Sequence, residues 1–184
     1  NFDDYTTWTG SIIKNHNKWH YFYTGRNKKE NGSKQRIGHA IGETPYSFSR
    51  CGNGLALDLD KNIYQELEKD NYWKDRAMRD PWVMKHPYEN KFLMAYTARA
   101  SINNDPYQCG VIGMAESNDL YEWQSTKPLF GGLFSQLEVP QIFTVKDRWY
   151  CLFCNHPEDW SDEFKKNYNG PTRRGTHYLI ADKF

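Results

Sequence analysis

The sequence has little of what marks several common classes of protein. It holds four cysteines in 184 residues, and neither Cys51 nor Cys109 has an evident partner, so we infer no disulfide framework. Charge of neither sign dominates, because 24 Lys and Arg residues stand against 23 Asp and Glu residues. This balance gives no electrostatic argument for nucleic acid or an anionic membrane. No apolar run approaches the roughly 18 residues of a transmembrane helix, so we expect neither partner.

Sequence motifs for metals and cofactors are also missing. The six histidines are scattered without a His-Glu-x-x-His arrangement, and no glycine-rich loop opens a helix. Cys151 and Cys154 have the spacing of a metal or redox pair, but they fall in a predicted strand, where residues three apart point to opposite faces. We therefore interpret both as structural, and we expect no metal and no cofactor.

Aromatic residues, in contrast, are abundant. They make up 16% of the chain, with seven Trp and thirteen Tyr. Aromatic-rich strands suit an all-β core, and exposed rings suit stacking on sugars, although most rings belong in the core. A chain of 184 residues is long enough to bury one good core.

An internal repeat indicates the architecture. Each copy has a basic residue, an aromatic residue and a strand, at Lys18–Arg26, Lys91–Arg99 and Arg148–His156. An apolar strand and a turn precede each copy, with the strands at Gly10–Ile13, Pro81–Met84 and Pro140–Phe143. A third strand follows at Ile37–Gly42, Val111–Glu116 and Gly175–Asp182, and the first two units add short outer strands at Tyr46–Phe48 and Leu120–Trp123.

Three units of about four antiparallel strands predict an all-β fold built from β-propeller blades. The blade-like units cover about 5–58, 79–130 and 137–184, and a helical insertion is predicted at about 59–75, where Ile63–Glu68 follows an Asn62 cap. Propellers close with four to eight blades, and the chain begins at Asn1 instead of an initiator methionine. We therefore expect a partial propeller, a fragment of about three blades from a longer protein.

Two carboxylates occupy equivalent places at the start of two strands. Asp80 precedes Pro81, and Glu138 lies two residues before Pro140, in each case with an apolar strand following. Proline is tolerated at the first residue of a strand, so each acid is expected at a strand's mouth, facing one shared pocket. The same pattern also fits acids that merely cap strand starts.

Three short segments follow one another along the chain: Trp8-Thr9-Gly10-Ser11, Arg79-Asp80-Pro81 and Glu138-Val139-Pro140. In this order they resemble the motifs of glycoside hydrolase family 32, the five-bladed propeller glycosidases that act on furanose sugars, with families 68 and 43 as relatives. The resemblance implies a retaining β-fructofuranosidase-like hydrolase with a fructoside or related furanoside as substrate. An arabinan- or xylan-directed family 43 relative, and a sugar-binding propeller without catalysis, remain alternatives.

The resemblance also implies roles for individual residues. Glu138 would be the acid/base, and Asp80 would stay ionised and stabilise the oxocarbenium-like transition state. Arg79 would hold Asp80 or bind a sugar hydroxyl, and Trp8 and Ser11 would line the substrate site. Trp82 is a possible wall of the site, but its place inside the strand favours the core.

The sequence departs from the family pattern at several positions. Val139 stands where a cysteine is usual, and Thr9 where a serine is usual. No Asn-Asp-Pro segment, which carries the family's nucleophile, occurs before Trp8, and Asp3-Asp4 lacks the proline and the apolar strand. We expect the nucleophile upstream of Asn1, and residues 1–184 alone to be inactive and poorly soluble.

Overall fold

The computed structural model describes residues 1–66, 75–102 and 104–184. These residues form eleven β-strands in three antiparallel sheets of four, four and three strands. The only α-helix among them, α1, is the six-residue segment Asp162–Asn167. The all-β prediction from the repeat is therefore confirmed.

Sheet 1 is a meander of β1 (Thr6–Asn15), β2 (Lys18–Arg26), β3 (Gln35–Thr44) and β4 (Ser47–Leu57). The register between β1 and β2 shifts by one residue between Trp8 and Gly10. A side chain at Gly10 would bring its Cβ within 2.1 Å of the backbone oxygen of the residue at position 22. Glycine is therefore needed at this point of β1, where the two strands approach too closely for any Cβ.

Sheet 2 has the same order, with β5 (Met78–Lys85), β6 (Phe92–Arg99), β7 (Gly110–Ser117) and β8 (Gln124–Gly131). Every residue of β6 is buried, as expected for a strand covered on both faces.

The outer strand of sheet 2 was predicted at Leu120–Trp123, and that prediction is wrong, because the strand begins at Gln124. The Ser117 hydroxyl accepts hydrogen bonds from the backbone N–H groups of 119 and 120, and the Asp119 carboxylate accepts those of 121 and 122. Leu120 adopts a left-handed φ of 72°. Side-chain acceptors thus fold this apolar segment into a turn.

Sheet 3 contains β9 (Glu138–Val145), β10 (Arg148–Asn155) and β11 (Gly175–Ala181), with β10 in the middle. The helix α1 lies in the connection from β10 to β11, and the Ser161 hydroxyl caps its first turn by accepting the Phe164 N–H at 3.1 Å.

Strand β5 contacts both β1 and β9, so sheet 2 lies between the other two. One core fills the space between sheets 1 and 2, and a second lies between sheets 2 and 3. The first contains Phe22, Ile37, Met78, Met94 and Tyr96, and the second Ile112, Leu137, Ile142, Phe153 and Trp160. The first strands of the three sheets are thereby neighbours, as the repeat predicts.

Part of the predicted helical insertion at 59–75, residues 67–74, lies outside the described residues. Residues 61–63 form a turn, 64 is a bend, and 65 and 66 have no regular structure, so the described part of the predicted helix Ile63–Glu68 is not helical. Tyr64 is buried here, and its hydroxyl donates to the backbone oxygen of Thr126 at 2.8 Å and accepts the Met114 N–H at 3.0 Å. Tyr64 thus anchors this part of the segment to strands β7 and β8 of sheet 2.

The described residues contain neither a disulfide nor a cluster of metal ligands. All four cysteines are free, and burial raises the pKa of the Cys151 thiol to about 12, which makes it unreactive. Across the described residues, no three His, Cys, Asp or Glu side chains are grouped to hold a metal ion. Nor does this part of the chain contain a helix long and apolar enough to cross a membrane.

A buried histidine pair lies where sheet 1 meets the turn before β8. His20 Nδ1 and His39 Nε2 are 3.0 Å apart, and both residues are 2% exposed. The ring of Phe22 stacks on His39, and that of Tyr121 meets both imidazoles edge-on. Burial, then the neighbouring His20, lower the pKa of His39 to about 4, against a smaller opposing effect of Asp119. Burial and Lys18 also lower the pKa of His20.

This pair should make the whole protein sensitive to acid. The unfolded state binds a proton at His39 more readily than the folded state does. The contribution of neutral His39 to the unfolding free energy is therefore complete above pH 6.5 and is lost as the pH falls towards 4. We expect His39 to account for about 2 to 3 kcal/mol of the unfolding free energy lost over this range. Urea unfolding at pH 7 and pH 4.5 measures it. His39→Gln, which cannot take up the proton, should lose correspondingly less; an equal loss in both proteins would contradict the assignment.

Candidate active site

The two strands that carry the predicted acids begin with the same backbone distortion. Asp80 and Val139, each directly before a proline, have left-handed φ values of 58° and 51°. The register of β5 on β6 shifts between Arg79 and Trp82, and that of β9 on β10 shifts opposite Glu138. A left-handed β-branched residue is strained, and such bulges redirect a side chain near active sites. The side chains at the start of these two strands therefore depart from the alternating directions of a regular strand.

Asp80 is buried at the junction of the three sheets. Its Oδ2 accepts hydrogen bonds from the Thr97 hydroxyl at 3.1 Å and the Val139 N–H at 3.2 Å, and its own N–H donates to the Thr24 hydroxyl at 2.8 Å. These bonds tie β5 to β2, β6 and β9 and hold the strained Val139 in place. Burial raises the pKa of Asp80, and the hydrogen bonds and Arg79 only partly offset this effect.

Arg79 connects the two predicted carboxylates. Its Nη2 donates to Glu138 Oε1 at 2.9 Å, and its Nε lies 3.5 Å from Asp80 Oδ2. The same guanidinium donates to the side-chain oxygens of Gln35 at 3.2 Å and Gln136 at 2.7 Å. Asp80 and Glu138 are far apart in the sequence, but both thus contact the Arg79 guanidinium.

Glu138 differs from Asp80 in its access to solvent. Its side chain is 30% exposed, whereas that of Asp80 is 6% exposed. A carboxyl group that exchanges protons with a substrate and with water needs such access. The Asp80 carboxylate is instead enclosed and held by Thr97 and Val139. The two acids therefore differ in solvent access and in how firmly they are held.

The other predicted site residues have definite contacts. The Ser11 hydroxyl accepts the Val83 N–H at 3.0 Å, which joins β1 to β5. Trp8 is 39% exposed, and the Arg26 guanidinium lies 4.2 Å from the centre of its ring. Trp82 donates from Nε1 to the backbone oxygen of Ile142 at 2.9 Å. Ser11 and Trp82 therefore brace neighbouring sheets, and Trp8 presents an aromatic surface at the start of β1.

Asp3 is engaged elsewhere. Its carboxylate accepts two hydrogen bonds from Arg50, at 2.9 and 3.0 Å, and one from the Tyr23 hydroxyl at 2.8 Å. Burial and the bond to Asp3 raise the pKa of Tyr23 to about 12, so its hydroxyl remains a donor. Asp4 accepts the Lys28 N–H at 2.8 Å. These contacts fasten the first residues onto sheet 1, which is a structural use of both acids.

Sequence reasoning missed four side chains of the site. Thr24 and Thr97 are fully buried against Asp80, and they hold the same place in the repeat, in Tyr-Thr-Gly-Arg and Tyr-Thr-Ala-Arg. That identity at a polar, inward-facing position was the available signal. Gln35 and Gln136 have no such signal, because they lie outside the repeated segments.

Comparison with known proteins gives a family and a fold. The glycosyl hydrolases family 32 N-terminal domain matches residues 1–182. A search of the curated proteins found no match.

Three similar solved structures carry three different enzyme names. Inulosucrase from Halalkalicoccus jeotgali bound to kestose has a TM-score of 0.77 at 21% identity, over 97% of this chain and 48% of that one. Levansucrase from Gluconacetobacter diazotrophicus has a TM-score of 0.71 at 19% identity, over 97% and 44%. Full-length beta-fructofuranosidase from Microbacterium saccharophilum K-1 has a TM-score of 0.70 at 17% identity, over 97% and 40%.

The chain thus spans about half or less of the length of the structures it matches. The likeness confirms the prediction that the three sheets are blades of a β-propeller. The family match over residues 1–182 includes all three segments, Trp8-Thr9-Gly10-Ser11, Arg79-Asp80-Pro81 and Glu138-Val139-Pro140. The chain therefore belongs to glycosyl hydrolases family 32 and matches the N-terminal domain of that family.

Proposed function

We propose that the whole protein is a retaining glycoside hydrolase that acts on β-fructofuranosides. The observation that carries the proposal is the placement of Asp80 and Glu138 on one guanidinium, with one acid buried and the other accessible. A furanoside hydrolase needs an acid for the leaving oxygen and negative charge beside the sugar ring. The names of the similar structures favour fructosides within this class.

Glu138 is the acid/base in this mechanism. It protonates the glycosidic oxygen as the bond breaks, and its carboxylate then removes a proton from the water that releases the sugar. Asp80 stays fixed by Thr97 and Val139 and stabilises the positive charge that develops on the ring. The retaining reaction also needs a nucleophilic carboxylate, which we place outside residues 1–184.

A panel of sugars on the whole protein tests the proposal. We expect release of fructose from sucrose, levan or inulin, and no arabinose from arabinan. The Glu138→Gln protein serves as the control for contaminating activity. Arabinose release would instead support a family 43-like specificity, and saturable sugar binding with no turnover of any substrate would support a sugar-binding propeller; either result would refute the proposal.

A further inference from the structure

We propose that Gln35 and Gln136 are positioning residues that orient Arg79 towards Glu138, and that Asp75 and Asp159 fix the two amides. The proposal rests on the proposed function for its catalytic consequence. Its structural content is a chain of side chains that crosses the site. In order, the chain is Asp75, Gln35, Arg79, Gln136 and Asp159.

The orientation of Gln136 follows from its two neighbours. Arg79 can only donate hydrogen bonds, so the atom that faces it at 2.7 Å must be the amide oxygen. The Asp159 carboxylate accepts, and both its oxygens lie 3.4 Å from the Gln136 amide nitrogen. Asp159 is itself held by the Ser135 hydroxyl at 2.7 Å. Arg79 and Asp159 together thus permit only one of the two possible orientations of the Gln136 amide.

Gln35 obeys the same rule on the other side of Arg79. Its oxygen accepts from Arg79 Nη1 and from the Met78 N–H, each at 3.2 Å, and its nitrogen donates to Asp75 Oδ2 at 2.6 Å. Gln35 is fully buried. A buried amide with three matched partners strongly resists rotation, because a flip would leave donors facing donors.

The backbone around Gln136 is also fixed. The Asn155 amide donates to the Gln136 backbone oxygen at 2.6 Å, and the Gly110 N–H donates to the Phe134 oxygen at 2.8 Å. A Cβ at Gly110 would lie 2.5 Å from the Gln136 backbone nitrogen. The segment that carries Gln136 therefore packs directly on the start of β7. The backbone from which the Gln136 side chain extends is thus held in one position.

Neutral acceptors have a specific advantage at these two positions. The amide oxygens of Gln35 and Gln136 accept hydrogen bonds from Nη1 and Nη2 of Arg79, and they add no negative charge that would offset the charge of the guanidinium. The charge of Arg79 is therefore left for Asp80 and Glu138, and a carboxylate at position 136 would compete with Glu138 for the same Nη2. Gln136→Glu keeps an acceptor for Arg79 Nη2 but adds a charge, whereas Gln136→Met removes the hydrogen bonds to both Arg79 and Asp159.

The test uses Gln136→Met, Gln136→Glu and Asp159→Asn in the whole protein. The matched control is Glu158→Gln, which removes the neighbouring exposed carboxylate, bound only to Arg174 among its described hydrogen bonds. Two readouts are needed: the exchange rate of the Arg79 Nε–H in nitrogen-labelled protein, assigned with Arg79→Lys, and kcat and KM on sucrose. The first readout does not depend on turnover.

We expect Gln136→Met and Asp159→Asn to raise the Arg79 exchange rate at least 10-fold, and Gln136→Glu, which keeps an acceptor for Arg79 Nη2, to leave it near the wild-type rate. All three variants should lower kcat about 10- to 100-fold with little change in KM and in the unfolding temperature. Glu158→Gln should match wild type. Exchange at the wild-type rate in Gln136→Met would overturn the proposal, as would an activity loss that only parallels a lower unfolding temperature. If no fructoside is turned over, the proposed function fails, and the exchange rates still decide whether Gln136 orients Arg79.

Discussion

Replacing Glu138 by glutamine is expected to lower kcat on sucrose or inulin by about 10²- to 10⁴-fold, the usual contribution of a positioned acid. Glutamine keeps the shape of the side chain and an oxygen for Arg79 Nη2, which donates to Glu138 at 2.9 Å. The fold and the Arg79 contact should therefore survive while the exchangeable proton is lost. Initial rates and circular dichroism of the purified variant measure both.

The loss should depend on the leaving group. An aryl fructoside whose leaving group needs no proton should retain far more of its rate of glycosylation than sucrose, because the missing acid acts on the leaving oxygen. Added azide should raise the turnover of the variant by replacing water that Glu138 no longer activates. An equal loss on both substrates would show that Glu138 is not the acid.

The variant Asp80→Asn is expected to lose about 10²- to 10³-fold in kcat on both kinds of substrate, since it removes fixed negative charge opposite the developing cation. It should also be more stable than wild type at neutral pH. Burial raises the pKa of Asp80 above the 3.8 of an unburied carboxyl group. Ionisation of Asp80 therefore lowers the stability of the folded state progressively as the pH rises from 3.8 to the raised pKa, and the cost is complete above that pKa. Asparagine removes this cost, and its oxygen can still accept from Thr97 and Val139.

The backbone provides the control for Asp80→Asn. Asparagine tolerates the left-handed φ of 58° at this position, whereas alanine would keep the strain and lose both hydrogen bonds. Asp80→Ala should therefore unfold at a lower temperature than Asp80→Asn, and thermal unfolding of the three proteins makes the comparison. A lower unfolding temperature for Asp80→Asn than for wild type at pH 7 would refute the idea that this carboxylate costs stability.

The sequence predicted the strands and their grouping well, because the repeat and the period of two encode them locally. Glu138 lies at the start of β9, as its proline two residues later indicates. The left-handed backbone at Val139 could not be read in this way, since nothing in a valine favours it. It persists because Asp80, from another sheet, accepts the Val139 N–H.

The roles of Gln35 and Gln136 were out of reach for the same reason. Each meets Arg79 only after distant segments have packed together, and an isolated glutamine carries no mark of such a contact. The mistaken outer strand at Leu120–Trp123 is the opposite case, because apolar composition predicted a strand where the side chains of Ser117 and Asp119 impose a turn. Local patterns therefore sufficed for the scaffold, and long-range polar contacts decided the site.

The position of β5 between the two cores has a consequence for the order of folding. Asp80 is fixed by Thr24, 56 residues earlier in the chain, and Arg79 reaches Glu138, 59 residues later. Contacts across such separations form late, because the loops between them must close first. The contacts among Thr24, Asp80, Arg79 and Glu138 can thus exist only after all three sheets have docked. During refolding of the whole protein, the proposed turnover of fructosides should therefore appear later than β-sheet formation.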